Sequence, residues 1–252
     1  MTDASNFIPE KKVSLIARLK DYLRPYNVYF QGRATPPSCQ QSCRVLQHYN
    51  FRPRTVFDIG VAYGTYDLYR AFPDAYYHLI DPTRESLHYM QLLGRQLRCE
   101  IHHVALGQND GEVDIEIRSD IQGATMLEDV GEREILRYDR VPLRRFDSLI
   151  EEIERPSLCK IDVQGAELMV LEGMTGRLDS IDALVVESST IASLKGGPEV
   201  HDIVHFMHGR GFVLSDIVNM VRRPLDGATA QLDLLFLPED SPLRRDRRWA
   251  AA

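Results

Sequence analysis

The chain has 252 residues, and 30 Lys and Arg against 37 Asp and Glu leave a formal net charge of −7. That length suits one large α/β domain, with or without a small appendage, and 44% hydrophobic with 27% charged residues excludes a disordered, collagen-like or coiled-coil chain. The acidic balance argues against nucleic acid as a partner, because a polyphosphate is repelled unless a local basic patch prevails.

The first ten residues carry neither the basic nor the apolar part of a secretory signal. The longest apolar runs, such as Ala183-Leu-Val-Val186, fall far short of the roughly 20 residues of a spanning helix. A soluble, cytoplasmic protein without membrane contact is expected. Val13, Leu15, Ile16, Leu19 and Leu23 recur at helical spacing and predict an amphipathic helix over residues 11–24, which Pro25 helps to stop. Pro36-Pro37-Ser38 opens a second helix, Cys39 to Tyr49. Residues 1–50 thus read as a helical N-terminal extension.

From Thr55 onward short apolar runs alternate with helix-compatible segments. The runs are Thr55–Ile59, Tyr77–Ile80, Glu100–Ala105, Ser157–Val163, Ala183–Glu187 and Phe212–Ser215. This alternation predicts a parallel sheet wrapped by helices. Glu112–Ile117 has period two and Val141–Phe146 is a second extended piece, so an inserted edge element is expected between the third and fourth runs. Gln231–Leu237 follows the sixth run without a clear helix, which predicts an antiparallel last strand in a mixed sheet of about seven strands. The expected bounds are 51–240 for the main domain and 241–252 for a tail, in which Arg244-Arg-Asp-Arg-Arg248 reads as a solvated end. Cys39, Cys43, Cys99 and Cys159 form no CxxC pair and read as reduced thiols.

Chemistry concentrates in two segments. In Val56-Phe-Asp-Ile-Gly-Val-Ala-Tyr-Gly-Thr65, Gly60 and Gly64 let backbone approach a ligand at the carboxyl end of a strand. The spacing is GxxxG, so the GxG start of the dinucleotide fingerprint is missing. Asp58, just before the turn, would repel a pyrophosphate and attract the cationic amino end of a methionine-like ligand, so the loop suits S-adenosylmethionine better than NAD. Asp81 ends the second strand, where a carboxylate can accept hydrogen bonds from a ribose diol; its alternative reading is an Asp-Pro turn initiator. In Lys160-Ile-Asp-Val-Gln-Gly-Ala-Glu-Leu-Met-Val-Leu-Glu-Gly173, alternation puts Lys160 and Asp162 on one face of a buried strand, where charges are costly unless paired or turned to a polar site. Glu167 in the first helical turn is explained by the helix dipole.

These stretches, with Leu79-Ile-Asp-Pro82, His103-Val-Ala-Leu-Gly107 and Arg145-Phe-Asp-Ser-Leu149, resemble the FkbM family of S-adenosylmethionine-dependent methyltransferases over roughly residues 54–237. The resemblance implies a class I methyltransferase, Rossmann-like sheet and O-methylation of a hydroxyl on a small molecule, sugar or natural product. The cofactor site expected is Asp58, Gly60, Tyr63, Gly64 and Asp81 of the acidic turn and the strand after it, with His103 and Ala105, although alternation along a buried strand is the other reading of His103; residues 1–50 are left outside the resemblance as a substrate-side or homodimer-forming addition. Gln164 stands where the family usually has an acid.

Asp162 is the candidate general base or cation ligand, with Lys160 to keep it ionised and Glu187, at the end of the neighbouring strand, to share the acceptor or a metal. His201, His205 and His208 share one helix flank but read as solvated, since Val200, Ile203, Val204 and Met207 form the core stripe. The competing functions are a noncatalytic S-adenosylmethionine-fold binding module and an NAD-dependent oxidoreductase, the latter opposed by the missing GxG and by Asp58.

Overall fold

The computed structural model describes residues 37–131 and 134–249. The helix expected over residues 11–24 lies outside them, as does most of the expected N-terminal extension. Among the described residues the helices are α1 (Cys39–His48), α2 (Tyr66–Ala71), α3 (Arg84–Leu93), α4 (Phe146–Leu149), α5 (Glu167–Gly173) and α6 (Val200–His208). The strands are β1 (Thr55–Ile59), β2 (Tyr76–Ile80), β3 (Arg98–His102), β4 (Ala105–Leu106), β5 (Gly111–Ile117), β6 (Arg137–Arg144), β7 (Ser157–Ile161), β8 (Ala183–Ser189), β9 (Phe212–Arg222) and β10 (Thr229–Pro238).

Seven strands form one sheet in the order β3-β2-β1-β7-β8-β10-β9, and only β10 runs antiparallel to its neighbours. Every residue of β1 is buried, because β2 and β7 flank it and helices cover both faces. Alternation then sorts its side chains. Phe57 and Ile59, with Cys159 and Ile161, join a core against Val170 and Leu171 of α5 and Ile203 and Met207 of α6. Val56 and Leu158 face the opposite core, which holds Cys43 and Leu46 of α1, Leu68 of α2 and Met90 of α3. The helix Cys39–His48 therefore belongs to the main core, capped by Ser38, whose hydroxyl accepts from the Gln41 N–H.

The chain runs outward from β1 through β2 to β3, then returns to place β7 on the other side of β1. The strand order thus reverses between β1 and β7, and a crevice opens at their carboxyl ends, as open α/β sheets require at such a point.

Three expectations are corrected. The Glu100–Ala105 run breaks at His103: β3 ends at His102, and Ala105 begins β4 in a separate three-stranded sheet, β4-β6-β5. The inserted strands pair with each other rather than with an edge of the main sheet, so they stand over the crevice as a small second layer. β9 extends to Arg222, well past Ser215, because β10 pairs with it along its length through several register shifts. No helix among the described residues is long and apolar enough to cross a membrane.

Candidate active site

A cavity of about 440 Å³ lies at the carboxyl ends of β1, β2, β7 and β8, within the usual size range of small-molecule sites. The loop after β1 forms its floor. Gly60, Ala62 and Gly64 all have positive φ (83°, 46° and 111°). Gly60 is fixed by close approach: a Cβ there would sit 1.7 Å from the carbonyl oxygen of Asp162, so only glycine lets the β1 and β7 ends meet.

Asp81 holds this loop from the next strand. One of its carboxylate oxygens accepts the Ala62 N–H at 2.9 Å, and the other accepts the Thr83 N–H at 2.9 Å and the Thr83 hydroxyl at 2.8 Å. Thr83 in turn caps α3 by accepting the Ser86 N–H. These three bonds leave room for one more on a carboxylate with about four acceptor positions, so the turn role does not exclude a ligand. Ile59, Ile80, Val104, Leu106, Ile115 and Met126 supply apolar wall on this side, the last three from β4, from β5 and from the segment between β5 and β6.

The far end is polar. In the sheet register Asp162 follows Ile161, the partner of Val186, and so stands beside Glu187; Glu187 pairs with Asp233, and Asp233 with Asn219. Four polar side chains thus cross β7, β8, β10 and β9 in a row along the cavity wall. Lys160 Nζ lies 3.1 Å from Asp162 Oδ2 and 3.8 Å from Asp58 Oδ1. Gln164, held at φ +54° by a Thr125 hydroxyl donating to its carbonyl, donates its amide to both Asp162 Oδ1 (3.0 Å) and Glu187 Oε2 (2.8 Å). Glu167 fastens the same turn from beneath, its Oε1 accepting the N–H of Val163 (3.1 Å) and of Gly165 (3.0 Å).

The electrostatics divide these acids. Burial would lower the Lys160 ammonium's pKa, but the charges of Asp162 and Asp58 outweigh it and keep the lysine protonated. Burial likewise opposes ionisation of Asp162, yet Lys160 and the surrounding hydrogen bonds hold its carboxyl below the usual range. Burial, then the Asp162 charge, pushes Glu187 well up, and the same two causes raise Asp233. Of the three acids in the row, Asp162 is thus the one most favoured to ionise.

Of the residues expected from sequence, Gly60, Gly64, Asp81, Ala105, Lys160, Asp162 and Glu187 line this one cavity. Asp58, Tyr63 and His103 are not on its wall. Asp58 shares the face of the sheet with its register partner Lys160 but lies below it, wholly buried and bonded by the Tyr69 and Thr65 hydroxyls, so it serves as a counterion behind Lys160. Burial, against the pull of Lys160, raises its pKa. Tyr63 is 37% exposed and packs edge-on against Tyr89, and His103 is exposed in the break between β3 and β4. Gln164, Asn219, Gln231 and Asp233 complete the wall without having been expected there. Asp233 did carry a signal, as a lone charge inside the apolar run Leu232–Leu237.

The chain matches the profile of the methyltransferase FkbM domain over residues 58–214. It belongs to the FkbM methyltransferase family. No curated protein matches it. Among solved structures, the 1,6-didemethyltoxoflavin-N1-methyltransferase of Burkholderia thailandensis is 13% identical, with 95% of this chain and 94% of that one covered at a TM-score of 0.43. The magnesium protoporphyrin IX methyltransferase of Synechocystis PCC 6803 is 12% identical, with 87% and 95% covered at 0.42. The mitomycin 7-O-methyltransferase is 16% identical, with 79% of this chain and 52% of that one covered at 0.41. The chain spans about half the length of that protein and of LaPhzM, of which it covers 55%.

As an FkbM methyltransferase the chain uses S-adenosylmethionine, and the donor set fits that cofactor. Asp81 offers a carboxylate at the end of β2 for a ribose diol, and apolar residues flank it for a purine ring. The wall carries four carboxyl groups, Asp81, Asp162, Glu187 and Asp233, against the single ammonium of Lys160, so it offers a sulfonium cation acceptor oxygens and a pyrophosphate no surplus of cations.

Proposed function

We propose that this FkbM methyltransferase methylates a hydroxyl oxygen of a small polar acceptor, with Asp162 receiving the proton. The observation that carries the reading is the polar row, in which Lys160 Nζ lies 3.1 Å from Asp162 and holds its carboxyl below the usual range, while burial and the Asp162 charge push Glu187 beside it well up. Bound in the crevice, S-adenosylmethionine supplies an electrophilic methyl whose transfer leaves a neutral thioether. The protein's part is to bring the acceptor oxygen in line at about 3 Å and to take up the proton that oxygen loses.

A carboxylate with a depressed pKa is a weak base. It suffices here because an alcohol becomes strongly acidic only as the new C–O bond forms, so the proton leaves late and Asp162 first acts as a hydrogen-bond acceptor that aims the oxygen. Glu187, protonated, can donate to the same acceptor, and Asn219, Gln231 and Asp233 offer further hydrogen bonds to a hydroxylated molecule. A noncatalytic binding module would have no use for an ionised carboxylate at this place, and the absent GxG speaks against NAD.

Asp162→Asn keeps shape and removes charge. Turnover is expected to fall by roughly 10² or more, with S-adenosylmethionine affinity by calorimetry nearly intact. Near-normal turnover of the Asn variant would make the Lys160–Asp162 pair purely architectural.

A further inference from the structure

On the far edge of the sheet from the polar row, three side chains converge that the methyl-transfer site does not use. His78 on β2 pairs in register with Glu100 on β3, and His102 lies two residues beyond Glu100, so the pleat turns all three to one face. Each offers one ligand atom, and those atoms lie within 4.8 Å of one another. His78 Nδ1 is 3.0 Å from His102 Nε2 and 3.8 Å from Glu100 Oε2, and His102 Nε2 is 3.9 Å from Glu100 Oε1.

We propose that His78, Glu100 and His102 bind one divalent transition-metal ion of the zinc class, joining β2 to the edge strand β3. An ion about 2.0 to 2.1 Å from each of three tetrahedral ligands spaces their atoms by about 3.4 Å, between the shorter and the longer separations seen here. Two imidazoles with one carboxylate are a donor set for zinc, nickel, cobalt or iron, whereas magnesium and calcium favour oxygen ligands. The rings are already oriented: His78 stacks on the buried Phe57 at 4.8 Å and lies near-parallel to His102 at 5.2 Å. Their side chains are only 12% and 9% exposed, whereas Glu100 is 55% exposed and leaves a path of entry with room for a water as fourth ligand. In the absence of an ion one imidazole donates to the other.

The place of the site gives it a consequence. The carbonyl of His102 accepts the Asp81 N–H at 3.2 Å, so an ion that fixes the end of β3 also steadies the strand end from which Asp81 holds the glycine loop. An edge strand pinned in this way is further protected from pairing with another chain.

The test uses the untagged full-length protein, stripped with chelator and titrated with Zn2+ by calorimetry, with bound metal counted by mass spectrometry. One equivalent is expected, together with a zinc-dependent rise in melting temperature. His102→Gln is expected to abolish that equivalent. Glu100→Gln, at an exposed side chain that leaves folding intact, is expected to weaken binding by at least about tenfold, since losing even an outer-shell partner costs about 10- to 100-fold. His205→Gln, on the solvated flank of α6, is expected to bind as the unchanged protein does. No stoichiometric uptake, or uptake equally tight in Glu100→Gln and His102→Gln, overturns the proposal, and neither readout depends on methyl transfer.

Discussion

Gln164 is the side chain on which the acid pair turns. Its amide donates to Asp162 and to Glu187 at once, and the bond to Asp162 is among the causes that favour the ionised form of that carboxyl. An acid at this position would place a third carboxyl beside them, and three such groups cannot all ionise. Gln164→Glu is therefore expected to retain turnover while raising the pKa of the base. The ascending limb of the kcat–pH profile should move up by about one unit or more, each unit being about 1.4 kcal/mol of added repulsion. Gln164→Ala removes the donors and adds no charge, so its limb should move less. Equal profiles for the two variants would show that the amide does not govern the pair. Asp81 is tested by binding. Asp81→Ala loses the grip on Ala62 and the acceptor for a ribose diol, and titration should show S-adenosylmethionine affinity reduced by about 1 to 3 kcal/mol. Asp81→Asn keeps one acceptor oxygen and should lose less, whereas unchanged affinity in the Ala variant would leave only the turn role.

At the scale of the elements, the site depends on β1 and β7 ending against each other. Gly60→Ala is the direct probe, because its Cβ would meet Asp162 backbone at 1.7 Å and its φ is +83°. No flexible side chain can yield there, so a loss of at least about 3 kcal/mol is expected in urea unfolding. Gly196→Ala is the control, with φ +75° and nothing within 4 Å, and should cost only about 1 to 2 kcal/mol of left-handed strain. Similar losses would mean that the strand ends can separate. What the sequence makes legible follows the same division. β1, α1 and the antiparallel β10 are readable because periodicity, capping and the absence of a helix are local signals. Lys160, Asp162 and Glu187 stand out as charges in buried strands. The break at His103 is not readable, because a run of strand formers does not record that its last residues pair with a different sheet. Asn219 and Gln231 are invisible for a related reason: only the β8-β10-β9 register brings them to the cavity, and register is a tertiary fact. Asp58 is the reverse case, a conspicuous charge that shares the face of Lys160 but is buried beneath it, where the Tyr69 and Thr65 hydroxyls take up its oxygens.

For the molecule as a whole, buried acids make stability depend on pH. Glu167 is 3% exposed, and burial raises its pKa from 4.5 to about 7 despite the two backbone N–H bonds it accepts. Between those values the folded chain holds a proton that the unfolded chain has released. By linkage, the contribution of Glu167 is complete below pH about 4.5 and is lost as pH rises through about 7. Glu167→Gln removes the titration but keeps an oxygen to accept from Val163 and Gly165, so the turn that carries Gln164 survives. Asp58, Glu187 and Asp233 also have raised pKa values and Asp162 a lowered one, so the unchanged protein shows their combined slope. The difference between the two proteins isolates Glu167. Urea unfolding from pH 4.5 to 7 should show the Gln variant gaining on the unchanged protein by up to about 3 kcal/mol. A constant difference across that range would mean that Glu167 ionises in the folded protein as readily as in the unfolded chain, and that the helix dipole at the start of α5, rather than the proton, accounts for an acid at that position.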